Sequence, residues 1–192
     1  MLQKLYDRTL ELSDHPKAIW ILALLSFAES SFFPIPPDVL LLPMVLTAPT
    51  KAFRIAFVCS AASVLGGIFG YIIGAYFFDV VGQPIVDFYS LQHQFEQFKV
   101  LYNDHGAIIV AVAGFSPIPY KVFTIASGVT GLDISTFITA SALSRSARFF
   151  LVAALLWKFG EPIRGFVEKH LAKLTLLFCV LLVGSFIILK YL

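Results

Sequence analysis

The segment Phe32-Phe33-Pro34-Ile35-Pro36-Pro37-Asp38 has a near copy further along the chain, Phe115-Ser116-Pro117-Ile118-Pro119-Tyr120-Lys121, and both lie inside strongly apolar sequence. A proline pair cannot sit inside a continuous helix, because each ring removes a backbone donor and clashes with the preceding turn. Two apolar segments therefore break at matching places and end on opposite charges, Asp38 and Lys121. Broken helices carrying ionisable residues at corresponding points of an internal repeat are the sequence-level mark of a transporter binding site.

Composition sets the environment of these breaks. The 192 residues are 58% hydrophobic and 14% charged, with a mean hydropathy of +0.85, where soluble domains carry about a quarter charged residues. The expectation is an all-α integral membrane protein. A net charge of +2, scattered along the chain, gives no footprint for nucleic acid. Cys59 and Cys179 fall in separate apolar stretches without metal-ligand spacing, so they read as packing residues and no metal or cofactor is expected. The N-terminus lacks the basic, apolar and cleavage regions of a signal peptide in their order.

Outward from the first break, the apolar arm Ile19 to Ala28 is about half the roughly 20 residues a spanning helix needs, and Val39 to Leu46, punctuated by Pro43 and Pro49, is shorter still. The two arms read as a re-entrant hairpin with Pro34, Pro36 and Pro37 at its tip. Ile55 to Phe78 carries no charged residue and is long enough to cross. Gln83 to Gly106 alternates Phe88, Leu91, Phe95, Phe98 and Tyr102 with polar residues at helical spacing, as an interfacial amphipathic helix does. Ala107 to Gly114, the tip at Pro117 and Pro119, and Val122 to Val129 then make a second hairpin. Ile134 to Trp157 and Leu171 to Leu189 give further spans. The predicted organisation is one transmembrane domain: an interfacial helix at 1–16, repeat 1 at 17–82, the connector at 83–106, repeat 2 at 107–160 and a C-terminal span at 161–192. With about three transmembrane helices and one full crossing between the hairpins, the repeat is inverted.

Counting cations orients it. Lys4, Arg8, Lys17, Lys51, Arg54, Lys158, Arg164, Lys169 and Lys173 fall on the side of the N-terminus, and only Lys99 and Lys190 on the other. The positive-inside rule then places the N-terminus in the cytoplasm.

Five ionisable residues remain at membrane depth: Glu29, Asp38, Lys121, Arg145 and Arg148. Each costs about 2.5–3.5 kcal/mol at the centre of a helix, so the set must pair or line water. Equivalent positions at the two tips predict contact between Asp38 and Lys121. Arg145 and Arg148, three apart on one helix face, can converge on a phosphate. Two plainer readings stand beside these: arginines that snorkel to an interface, and Asp38 as a helix N-cap. The set sums to one surplus positive charge, which suits one anionic head group, and a proton taken up by Glu29 would couple transport to proton motive force. Gly66, Gly70 and Gly74 form a stripe of close helix packing, against the hairpins or a second subunit, so a homo-oligomer stays open.

Together, Glu29, Pro34-Ile35-Pro36-Pro37-Asp38, Gly114-Phe115-Ser116-Pro117-Ile118-Pro119-Tyr120-Lys121 and the helix with Arg145 and Arg148 resemble the DedA superfamily, the SNARE-associated Golgi or VTT-domain proteins, closest to its YqaA-like branch. The similarity spans residues 17–160. It implies a multi-pass protein of the bacterial inner membrane that moves lipid, as a flippase or scramblase, with undecaprenyl phosphate or a phospholipid as partner and protons as candidate coupling ion. Many members carry arginines on both sides of the second tip, where this chain has Gly114 and Lys121. The residues leave two other readings: a proton-coupled exporter of small cations with Glu29 and Asp38 as carriers, and an intramembrane lipid phosphatase. The second lacks a His or second carboxylate spaced to activate Ser116, Ser144 or Ser146, so no enzyme activity is expected.

Overall fold

The computed structural model describes residues 17–116, 118–160 and 162. The expected N-terminal helix, the tip residue Pro117 and the expected C-terminal span lie outside the described residues. The described chain is helical apart from short breaks and turns, in the order α1 (Ala18–Ser31), α2 (Asp38–Thr47), α3 (Ala52–Phe77), α4 (Gln83–Phe88), α5 (Gln92–Asp104), α6 (Gly106–Phe115), α7 (Tyr120–Thr130) and α8 (Ile134–Gly160).

The breaks fall where proline forbids a helix. After α1, the amides of Phe32 and Phe33 both turn back to the Ala28 carbonyl, and Pro37, at φ −67°, leads into α2. At the second break, Ser116 and Pro119 are extended, and α7 begins at Tyr120. Pro43 is carried inside α2 rather than ending it. Gly131, at φ 65°, closes α7 in the left-handed conformation that a residue without Cβ adopts freely. Asp133 then caps α8 by accepting the Thr136 amide at 2.8 Å.

Two helical stretches, Pro49–Phe88 and Ile134–Gly160, are long and apolar enough to cross a membrane, whereas Ala18–Ser31, Asp38–Thr47 and Gly106–Phe115 are not. The first continues from α3 through a wide π turn at Phe78–Gly82 into α4. The connector expected as one helix over 83–106 is thus divided: α4 extends the long helix, Ser90 turns the chain at φ 53°, and α5 alone forms the separate amphipathic piece.

The core has two parts. One joins Ala18 and Leu22 of α1, Leu41 and Val45 of α2, Ala52 to Cys59 of α3, and Phe149, Ala153 and Leu156 of α8. The other joins Val110 and Ala113 of α6, Tyr120 of α7, and Phe137 and Ala140 of α8, with Ile68 and Tyr71 of α3 packed against it. The start of α3 therefore meets the end of α8 and the converse, so these helices run antiparallel, and the two broken-helix units sit at opposite ends of the pair.

Close approach fixes this arrangement. A Cβ on Gly66 would overlap the Phe27 carbonyl, one on Gly74 the Ile125 carbonyl, and one on Gly70 the Thr124 hydroxyl. The glycine stripe packs inside this chain, its first part on α1 and its last on α7. Serines stitch the α1 and α3 seam: Ser26 donates to the Cys59 carbonyl at 2.8 Å, Ser30 and Ser63 share a bond of 2.7 Å, and Ser31 donates to the Gly66 carbonyl at 2.8 Å. Such bonds between apolar helices contribute about 0.6 kcal/mol each on average.

Candidate functional site

Midway along α3 and α8, between the two cores, the ionisable residues meet. Arg145 is the largest fully buried side chain, 1% exposed. Its Nη2 donates to Glu29 Oε2 at 2.9 Å and its Nε to Ser63 Oγ at 2.6 Å. Ser30, bonded to Ser63, also donates to Glu29 at 3.3 Å. The guanidinium carbon lies 4.8 Å from the Tyr120 ring centroid and 4.7 Å from that of Phe149, a cation–π placement on both rings. The remaining nitrogen, Nη1, is buried and makes no hydrogen bond; among the described residues it shares that condition only with Asn103 Oδ1.

Arg148, one turn later, is more open. Its Nη2 donates to Asp38 Oδ2 at 2.6 Å, with the two side chains 21% and 22% exposed. Its Nη1 makes a long contact of 3.4 Å with the Ser116 carbonyl at the second break. The Phe149 ring lies 5.6 Å from the Arg148 guanidinium, so both arginines use one aromatic ring. Each carboxylate of the first broken unit thus holds one arginine of α8. Of the two arginines, Arg145 is enclosed and Arg148 is paired with a carboxylate. Asp38, at the first position of α2, makes no cap hydrogen bond and spends its oxygen on Arg148.

The expected Asp38–Lys121 contact is replaced. Lys121 Nζ donates instead to the Phe33 carbonyl at 3.1 Å. The cause lies in the packing: α2 joins the core that includes the C-terminal part of α8, whereas α7 lies along α3 and touches α1. Asp38 consequently faces the arginines, and Lys121 faces the frayed end of α1. Thr124 reinforces that seam by donating to the Ser30 carbonyl at 3.1 Å. A cation and a hydroxyl at the C-terminal end of α1 satisfy carbonyls that the broken helix leaves without internal donors. Gly114 is accommodated for a separate reason, since a Cβ there would overlap the Ser144 hydroxyl.

Sequence spacing identified the five charged residues and missed their polar and aromatic holders, Ser30, Ser63, Tyr120 and Phe149. Ser30 and Tyr120 adjoin residues already singled out, but Ser63 is marked only by lying one turn before Gly66. Among the described residues no group of three or more His, Cys, Asp and Glu could hold a metal ion. Ser144, one of the hydroxyls considered as a nucleophile, donates to the Ala140 carbonyl at 2.7 Å.

On the amphipathic α5 and at the turn before α8, two groups have shifted acidity. The Asp133 carboxyl is held below its usual range by the Thr136 amide, then by the hydroxyls of Ser135 and Thr136. Burial pushes the Tyr102 hydroxyl up, which keeps it neutral against Ser127 Oγ at 3.1 Å and the Phe123 carbonyl at 3.2 Å.

An all-helical membrane protein with two broken units around a buried ionic cluster is the class that these features define. The VTT domain, the domain of the DedA and SNARE-associated proteins, matches residues 35–158, and the chain belongs to that family. An uncharacterized protein of Haemophilus influenzae is 41% identical, over 97% of this chain and 96% of its own length. An uncharacterized protein of Histophilus somni is 38% identical, over 85% of this chain and 87% of its own. No solved structure matches the chain.

Proposed function

We propose that the protein moves a phosphate-bearing lipid across the bacterial inner membrane, as a flippase or scramblase. The two broken units are re-entrant hairpins that enter from opposite faces, with the N-terminus in the cytoplasm. The head group passes between their tips, and the acyl chains stay in the bilayer. The observation that carries this reading is the charge arrangement: two carboxylates neutralise two arginines, and Lys121 is left bonded to a neutral carbonyl. An anion meets that surplus charge first. Arg148, partly exposed and bonded to Asp38 through one nitrogen, is placed to exchange its carboxylate for a phosphate oxygen, and a guanidinium binds phosphate through parallel donors. The unpartnered Nη1 of Arg145 is a further buried donor that lacks an acceptor. The reverse charge pattern would favour a cation exporter, but both acids are already held by guanidinium groups.

Reconstitution into vesicles containing a labelled phospholipid or a labelled polyprenyl phosphate tests the reading. Transport relocates the intact lipid between leaflets, whereas a phosphatase releases inorganic phosphate. Lipid that stays in place while protons exchange for cations would favour the exporter.

A further inference from the structure

Arg145 is held by groups from four helices: Glu29 of α1, Ser63 of α3, Phe149 of its own α8 and Tyr120 of α7. Of these, Tyr120 alone comes from the second break, where it is the first residue of α7 and sits between Pro119 and Lys121. Its side chain is fully buried, and its hydroxyl donates to Ser141 Oγ one turn before Arg145 on α8. The same ring lies against Gly67, where a Cβ would come within 3.3 Å of Cε1. Backbone on α3 and a hydroxyl on α8 thus set the ring's position, and the ring in turn lies under the guanidinium carbon.

We propose that Tyr120 is a positioning residue that locks the Glu29–Arg145 pair and so couples the second tip to the acid of the first. A guanidinium is planar, and its Nε and Nη2 reach Ser63 and Glu29 together only in one plane. A ring at 4.8 Å holds that plane and supplies attraction that a methyl-lined wall cannot. Any displacement of the start of α7 withdraws the ring from Arg145 as it withdraws Lys121 from Phe33. The pair then loosens when the tips part and closes when they meet. This deepens the transport reading, since Glu29 becomes free to change partner only in the parted state.

Labelling of Glu29 by dicyclohexylcarbodiimide tests the lock without reference to transport, because the reagent takes protonated carboxyls in apolar surroundings and spares paired carboxylates. The full-length protein is treated in native membranes at neutral pH, and modification is read by mass spectrometry of the peptide that contains Glu29. Tyr120→Leu is expected to raise the labelling rate by roughly thirtyfold, the size of a desolvated cation–π contact. Tyr120→Phe, which keeps the ring, is expected to stay near the wild-type rate, and so is Phe137→Leu, which thins the same core two turns before Arg145 on α8. If Tyr120→Leu fails to accumulate, Tyr120→Met fills the volume without a ring and is read in the same way. Slow labelling in the ringless variant overturns the lock. So does fast labelling in Tyr120→Phe or Phe137→Leu, which would mean the hydroxyl or general packing governs the pair. Failure of the wild type to move lipid would sink the transport reading and leave this result standing.

Discussion

The two arginine–carboxylate pairs are one helical turn apart and differ in almost every physical respect. Glu29–Arg145 is enclosed, at 13% and 1% exposure, braced by two serines and two aromatic rings. Asp38–Arg148 has about a fifth of each side chain exposed and rests on a single short bond, one long carbonyl contact and the more distant Phe149 ring. A buried pair is expensive to break because the survivor is left charged in a medium of low dielectric, whereas an accessible pair re-solvates its survivor. The difference assigns exchange in this closed arrangement to the second pair and keeps the first intact until the tips part.

The largest effect that would separate them is on folding. Arg145→Gln strands Glu29 and is expected to cost about 3–5 kcal/mol, enough to lower the yield of folded protein severely. Glu29→Gln combined with Arg145→Gln should recover part of that loss, which thermal unfolding in detergent would show as a non-additive cycle. Arg148→Gln should cost about 1 kcal/mol or less, given its exposure. Equal losses in the two single variants would erase the distinction.

Next in size is the effect of Asp38→Asn. Removing the carboxylate frees Arg148 for an anion while keeping the side-chain shape. Affinity for a phosphate-bearing lipid head group should rise several-fold, and the transport rate should fall because release is slowed. Head-group titration monitored by tryptophan fluorescence and vesicle assays read the two separately. Unchanged affinity would mean that the second pair does not exchange.

Lys121→Ala should act more mildly. It removes one hydrogen bond to the Phe33 carbonyl, a contribution of about 1 kcal/mol. It also removes the surplus charge, so the dependence of lipid capture on ionic strength should weaken. An unaltered salt dependence would place the first anion contact elsewhere.

The smallest effect concerns α8, which carries both arginines. Because hydrogen bonds hold the Asp133 carboxyl below its usual range, the cap stabilises fully above the ordinary carboxylate pKa. That contribution is lost as pH falls through the lower folded value. Thermal unfolding of Asp133→Ala against wild type should therefore show a gap near neutral pH that closes in acid. A gap that persists in acid would show that the cap works without its charge.

Much of the architecture was legible in the sequence because proline and length act locally. The breaks before Asp38 and Tyr120 follow from missing amides and ring clashes, and α3 is bounded by the loss of uninterrupted apolar sequence. The glycine stripe was readable as packing because no other residue allows backbones so near. The pairing of charges was not legible. Repeat symmetry matched Asp38 with Lys121, but the choice of partner depends on which core each arm joins, a long-range fact with no local signature. The unequal burial of Arg145 and Arg148 was hidden for the same reason. Three residues apart on one helix they look interchangeable, and only the positions of Tyr120 and Ser63 make one of them a fixed point. The division at Ser90 was masked by apolar spacing that runs on through the turn.

The most direct test of the exchange role is leaflet relocation of a labelled phosphatidylglycerol and a labelled polyprenyl phosphate. Both are assayed in vesicles of phosphatidylethanolamine and phosphatidylglycerol that contain wild-type protein or Arg148→Gln. Wild type should move at least one of the two lipids well above protein-free vesicles, and the folded Arg148→Gln protein should fall to the protein-free rate. Wild-type movement in Arg148→Gln, or no movement of either lipid by the wild type, would contradict it.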